Sequence, residues 1–170
     1  MHDNGGVAQS ERMNPEIRPA GSDDLEACVE IIRGLEDFFT EDVPAKFGAD
    51  LQRHGGWVIA EAEEVVGFVI VDRRSSQVAE ILWIAVESSR RNTGCGTRLL
   101  DHVLGVLRDQ GTTLVEVKTL DGSADYEPYK ATEAFYRRNG FVQVDCIDPF
   151  ADWPPGNPAA IYVAALQRTK

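Results

Sequence analysis

The segment Arg91-Asn92-Thr93-Gly94-Cys95-Gly96 has the residue types and spacing to hold a phosphate. It follows an apolar run, Ala79 to Val86, that reads as a strand, and it leads into a helical pattern from about Gly96 to Gln110. Backbone N–H groups at a helix start have no partner within the helix, and with the helix dipole they attract an anion. Glycine lets the backbone approach a ligand closely and take angles that other residues avoid. Arg90, Arg91 and Arg98 gather positive charge here, in a chain whose formal net charge is −11. Two nucleotide-binding devices do not fit. A dinucleotide fold wants a third glycine after Gly-x-Gly, whereas Thr97-Arg98-Leu99 follows Gly96. The Walker-type loop wants Lys after its second glycine, and Thr97 stands there. Taken alone, Gly94-x-Gly96 also reads as a tight turn with no ligand.

The elements around this turn follow from periodicity. Strand patterns cover Glu16–Arg18, Trp57–Ala62, Val66–Val71, Ala79–Val86, Leu114–Thr119, Phe141–Val144 and Ile161–Leu166. The run from Ala79 is apolar nearly throughout and is expected to be a central strand buried on both faces. Ser22 is placed to cap a helix whose apolar face is Leu25, Cys28, Val29, Ile32 and Leu35. A second helix is expected from Pro44 to Gly55-Gly56. The third carries Leu99, Leu100, Val103, Leu104 and Leu107 on its buried side and ends at Gly111. The last is expected over Thr132 to Asn139, stopped by Gly140, after a polar loop from Asp121 to Lys130. A Pro-rich loop with Trp153 separates the final strands. Strands alternating with helices imply an α/β or α+β sandwich around one mixed sheet. Residues 1–14 lack apolar anchors and read as a mobile leader, which leaves residues 15–170 as a single domain.

Composition removes several function classes. The acidic balance argues against broad nucleic-acid binding, which needs a basic footprint, and suits a cationic substrate. No apolar run approaches the roughly 20 residues of a membrane span, and the N-terminus lacks the basic start and apolar core of a secretory signal. A cytoplasmic location is expected. Cys28, Cys95 and Cys146 show no paired spacing, and His2, His54 and His102 show no metal-ligand spacing, so neither a disulfide framework nor a metal site is expected.

With these residues in view, the sequence resembles the GNAT superfamily of N-acetyltransferases. Their phosphate motif, Gln/Arg-x-x-Gly-x-Gly/Ala, is matched at every fixed position by Arg91 to Gly96. Ile84-Ala85-Val86 looks like the cofactor-facing end of the family's fourth strand. Ala134-Phe135-Tyr136-Arg137-Arg138-Asn139-Gly140-Phe141 looks like its Ala-x-x-x-Tyr-x-x-x-Gly-Phe region. The resemblance implies a mixed, mostly antiparallel sheet of about seven strands with about four helices. It also implies acetyl-coenzyme A as co-substrate, with no metal. The pyrophosphate would sit on the amides of Arg91, Asn92, Thr93, Gly94, Cys95, Gly96 and Thr97. The pantetheine arm would pair with backbone groups of Ile84, Ala85 and Val86 like an added strand. Tyr136 would lie by the sulfur and protonate the leaving thiolate. Dimers are frequent in the family, so a homodimer is an expectation. One position departs from the pattern: many members carry Asn seven residues before the tyrosine, and here Tyr129 stands there.

The implied reaction is direct attack of a small primary amine on the thioester in a ternary complex, which needs fixed oxyanion donors, a proton acceptor and a proton donor. Glu80, on the strand leading to the cofactor, is the first candidate base and Glu116 the second. Cys95 reads as the variable residue of the turn, with no catalytic partner nearby in sequence. Trp83, Tyr126, Tyr129 and Trp153 could give an aromatic acceptor wall. A non-catalytic acyl-coenzyme A sensing module and a protein N-acetyltransferase are the competing readings.

Overall fold

The computed structural model describes residues 14–151 and 153–167. The leader expected over residues 1–14 thus lies, Asn14 aside, outside the described residues. The strands are β1 (Glu16–Pro19), β2 (Gly55–Glu61), β3 (Glu64–Arg73), β4 (Val78–Val86), β5 (Leu114–Leu120), β6 (Val142–Ile147) and β7 (Ala159–Ala165). The helices are α1 (Leu25–Arg33), α2 (Val43–Arg53), α3 (Cys95–Asp109) and α4 (Glu127–Arg138). Seven strands form one sheet in the order β1-β2-β3-β4-β5-β7-β6. Neighbours are antiparallel except β4 and β5, which run parallel with α3 as their crossover. This is the mixed, mostly antiparallel architecture that the resemblance implied.

Each face of the sheet has its own core. Cys28, Ile31 and Ile32 of α1 and Phe47 and Leu51 of α2 pack on Val58, Phe68 and Ile70. On the other face, Leu99, Leu100, Val103 and Leu107 of α3 pack on Val69, Val71, Ala79 and Ile81, and Tyr136 of α4 joins them. Both helical sets recur at three- and four-residue spacing, the arrangement that gives a helix one apolar stripe. No helix among the described residues is long and apolar enough to cross a membrane.

Three local expectations are corrected. Helix α4 begins at Glu127, not near Thr132, with Pro128 in its first turn; a proline there costs no hydrogen bond, because that N–H has no helical partner. Ser22 caps nothing. A short 3-10 turn precedes α1, and its carboxylate Asp24 accepts from the Gly21 N–H at 2.9 Å and pairs with Arg18 at 2.7 Å. The Arg18 guanidinium and the Gly21 amide hold the Asp24 carboxyl below its ordinary pKa despite burial. Finally, β4 is central but not buried throughout: Leu82, Trp83 and Ile84 are only half-buried, because β5 leaves it partway along.

Candidate active site

Strand β4 is paired on both sides only at its start. Its register with β5 runs from Val78↔Leu114 to Ile81↔Val117 and stops there, while its pairing with β3 continues to Gly67↔Val86. From Leu82 to Val86 the backbone therefore has no strand on the β5 side, and a cleft opens through the sheet. A bulge coincides with the split. Val71 pairs with Ile81 and Ile70 with Trp83, so Leu82 is the extra residue. One extra residue reverses the alternation of side chains. Ala79 and Ile81 face α3 before the bulge, and Ile84 and Val86 still face α3 after it, while Trp83 and Ala85 join the α1–α2 core. Without the bulge, Ile84 and Val86 would point to the opposite face.

The open half of β4 feeds the phosphate-type turn. Glu87 bonds Val66 at 2.9 Å, and Ser88–Arg90 form a 3-10 turn. Asn92 has φ 61°, and Gly94, with φ 90°, begins α3. The first amide to bond back along the helix is that of Arg98, to Gly94 O at 3.0 Å. The amides of Cys95, Gly96 and Thr97 precede it, so the helix provides them no acceptor. A side chain on Gly94 would meet no atom within 4 Å, so its glycine answers the left-handed backbone and leaves space where a ligand would approach. A Cβ on Gly96 would make only ordinary contacts, 3.5 Å from Phe135 and 3.7 Å from Val86. The sulfur of Cys95 is buried, 3.2 Å from Thr93 Oγ1 and 3.7 Å from Glu61. It serves the turn's packing. The open strand edge, the free amides and the open space at Gly94 fit a pantetheine-pyrophosphate chain.

The three arginines near this turn are not equivalent. Arg90 donates to Glu61 at 2.7 Å, which offsets its charge. Arg98 reaches the Pro15 carbonyl at 3.3 Å. The Arg91 guanidinium carbon lies over the Phe38 ring, 4.3 Å from its centroid, and the side chain forms no hydrogen bond or ion pair among the described residues. A guanidinium over a ring still has N–H donors to offer an anion. Of the three, Arg90 alone is paired with a carboxylate, and Arg91 is the one whose side chain forms no hydrogen bond among the described residues.

Tyr136 shares the α3-side cluster with Ile84 and Val86. It is 4% exposed, between Phe135 and Phe141 with ring centroids at 5.4 Å each, and Tyr162 at 6.1 Å. Burial pushes its phenol well above the ordinary range, so it holds its proton at neutral pH. Glu80 lies elsewhere: in the zipped half of β4, on the α2 face. Its Oε1 accepts from Lys118 at 2.6 Å and its Oε2 from Arg74. Lys118 also donates to Glu116, and Arg74 pairs with Asp72 at 3.1 Å. Burial opposes the charge on Lys118, but its hydrogen bonds to Glu116 and Glu80 outweigh that and raise its pKa. The hydrogen bond to Glu80 likewise raises Arg74. Ile84, Ala85, Val86 and the turn therefore follow one another along the open half of β4, and Tyr136 is buried in the α3-side cluster against which Ile84 and Val86 pack, whereas Glu80 is held at the fork, within an ionic cluster.

The aromatic residues divide. The Trp83 indole donates to Asp50 at 2.7 Å and packs on Phe39 and Phe47. Tyr129, at the position of the family Asn, donates to the Phe38 carbonyl at 2.9 Å, and its ring lies 5.2 Å from that of Phe38. Tyr126 is 43% exposed beside Tyr129. Trp153 packs on Phe150 in the β6–β7 loop. Sequence reasoning missed the Leu82 bulge, the cations on Glu80 and the Phe38 contacts. Pro128 and the alternation Glu116-x-Lys118 were the available signals for the start of α4 and for a charged sheet face. No group of three His, Cys, Asp or Glu residues arranged for a metal occurs among the described residues.

A strand fork that opens onto a helix N-terminus is thus set into one mixed sheet. The model of the acetyltransferase (GNAT) domain family matches residues 52–143, and the chain belongs to that family. That span includes the fork, the turn and Tyr136. Among solved structures, Ard1 from Thermoplasma volcanium matches with TM-score 0.72 and 22% identity, over 90% of this chain and 98% of its own. The ribosomal-protein-S18-alanine N-acetyltransferase from Escherichia coli matches with TM-score 0.74 and 19% identity, over 92% and 97%. A GNAT-family acetyltransferase from Bacillus cereus matches with TM-score 0.70 and 17% identity, over 91% and 99%. At these identities the likeness is one of fold. Comparison with curated protein sequences finds no match.

Proposed function

We propose that the chain is an N-acetyltransferase that moves an acetyl group from acetyl-coenzyme A to a primary amine of a small cationic molecule, by direct attack in a ternary complex. The observation that carries this reading is the unpaired edge of β4 from Leu82 to Val86, running straight into the free amides of the Gly94 turn. Acetyl-coenzyme A supplies an acyl group activated as a thioester. The backbone of Ile84, Ala85 and Val86 holds its pantetheine arm, and the amides of Arg91, Asn92, Thr93, Gly94, Cys95, Gly96 and Thr97 hold its pyrophosphate. A backbone N–H at Ile84 stabilises the carbonyl oxygen as the amine adds.

The fork passes through the sheet, so the two proton transfers are assigned to opposite faces. The amine approaches from the α2 face, and its proton passes to Glu80, directly or through water. The carbon–sulfur bond breaks toward the α3 face, where Tyr136 gives its proton to the thiolate. Support for a cationic acceptor comes from the α1–α2 loop, where Glu36, Asp37 and Glu41 are exposed beside Phe38 and Phe39. The name of the Escherichia coli structure points to a protein acceptor for that enzyme, which is the competing reading here.

Purified protein is tested for thiol release from acetyl-coenzyme A across a panel of primary amines, with calorimetric coenzyme A binding to the parent and to Gly94→Val. A branched side chain is strained at φ 90° and would fill the approach, so affinity is expected to fall about 10-fold or more. Undiminished binding by folded Gly94→Val would remove the turn from the site. Binding without turnover on any small amine or peptide amine would favour a sensing module.

A further inference from the structure

The α1–α2 loop, residues 34–42, touches all three walls of the cleft. Phe39 packs on Trp83 of β4 at 6.1 Å. Phe38 receives the Tyr129 hydroxyl of α4 on its carbonyl and the Arg91 guanidinium of the turn on its ring. Leu35 anchors the start of the loop in the α1–α2 core, and the backbone hydrogen bonds of the loop are short-range, Phe38 and Phe39 to Leu35 and Val43 to Thr40. A hollow of about 280 Å³ between loop and turn, lined by Leu35, Asp37, Phe38, Ser88 and Arg91 among others, leaves this contact thin.

We propose that Phe38, clasped by Tyr129 through its carbonyl and by Arg91 through its ring, couples the phosphate turn to the acceptor-side loop, so that coenzyme binding fixes that loop. The inference rests on the functional reading above. The physical argument is that one guanidinium serves two partners. Its carbon lies over Phe38, 4.3 Å from the ring centroid, and its N–H donors, which bond nothing among the described residues, can meet a pyrophosphate. An anion on those donors restrains the guanidinium, and the restrained guanidinium restrains the ring beneath it. Tyr129 fixes the other end of the same residue, so less freedom is left for the acceptor to remove. Linkage makes the effect mutual: an occupied acceptor side tightens the coenzyme by the same factor. Phe38 and Tyr129 are positioning residues in this scheme. It also gives a use to the tyrosine that replaces the family Asn.

The test is amide hydrogen exchange of residues 34–42 with and without saturating coenzyme A, in the parent, Phe38→Leu, Phe38→Tyr and Tyr129→Phe, with saturation fixed by calorimetry. Coenzyme A is expected to slow exchange in the loop by about 5-fold or more in the parent. Phe38→Tyr, which keeps the aromatic face, is expected to retain that protection, and Phe38→Leu and Tyr129→Phe to lose most of it. Coenzyme binding with no slowing of the parental loop, or full protection persisting in Phe38→Leu, would overturn the coupling while leaving the functional reading intact. No binding of coenzyme A to the parent would overturn both.

Discussion

The two halves of β4 differ more than any two strands of the sheet. From Val78 to Ile81 the strand is hydrogen-bonded on both sides, and its polar side chain, Glu80, is gripped by Lys118 and Arg74. From Leu82 to Val86 one edge is bare, and Ile84 and Val86 turn branched hydrocarbon toward the cluster that holds the buried phenol of Tyr136. One half is satisfied within the protein; the other offers backbone groups that only a ligand or water can satisfy. The difference teaches where stability and function lie on one element. Changes in the zipped half are expected to reach activity through folding, and changes in the open half to reach it with the fold intact.

Three substitutions and one deletion sharpen or break that division. The largest expected effect is on turnover. Tyr136→Phe is expected to lower kcat by about 10²- to 10⁴-fold with coenzyme A affinity nearly unchanged, read by thiol release and calorimetry. Burial raises the Tyr136 pKa above its ordinary value, so the acid form persists as pH rises. The parent's kcat is therefore expected to show no loss of this acid below about pH 10. A fall near neutrality that vanishes in Tyr136→Phe would contradict the buried, neutral phenol. Deleting Leu82 comes next. It removes the bulge, and with it the bend that carries β4 away from β5, while Ile84 and Val86 keep their register and their face; the fork is expected to narrow and coenzyme A affinity to drop about 100-fold. Parental affinity in a folded deletion variant would break the comparison outright.

The zipped half gives smaller effects of another kind. Glu80→Gln leaves Lys118 and Arg74 facing a neutral amide. Because the Arg74 side chain is 51% exposed, much of the loss is screened, and urea unfolding is expected to show about 1–3 kcal/mol. If Glu80 also accepts the amine proton, the variant loses turnover beyond what its smaller folded fraction explains, and raising the pH to deprotonate the amine in bulk is expected to restore part of it. Unchanged kcat would place the base elsewhere. Smallest is Trp83→Phe, in the open half but turned toward α2, which removes the indole hydrogen bond to Asp50. A loss of about 1 kcal/mol is expected in the same unfolding assay, with coenzyme affinity unaffected because Trp83 faces α2.

Much of the fold was legible because its signals are local. The apolar stripes of α1 and α3, the glycine stop after α3 and the alternation in β2 and β3 depend on residues within one or two turns of each other. The Gly94 turn was legible for the same reason: a left-handed residue between a strand and a helix is a neighbourhood property. The errors were also local in origin. Ser22 is a good capping residue, but the chain makes a 3-10 turn there and Asp24 takes the amide. The polarity of Glu127-Pro128-Tyr129-Lys130 argues for loop, although proline in a first turn is as good a start for α4 as it is for α2.

The amino-acid sequence by itself determined the family motif, the element order and the two apolar faces, since each is written in residues close together along the chain. Only the tertiary structure decided which groups meet. Leu82 becomes a bulge because β3 and β5 impose different demands on β4. Glu80 acquires two cations because Arg74 comes from the β3–β4 loop and Lys118 from β5, and Arg91 keeps its donors unbonded while Glu61 takes Arg90 and the Pro15 carbonyl takes Arg98. Most of these pairings join residues tens of positions apart. Their energies depend on distance and burial, which spacing along one chain does not encode.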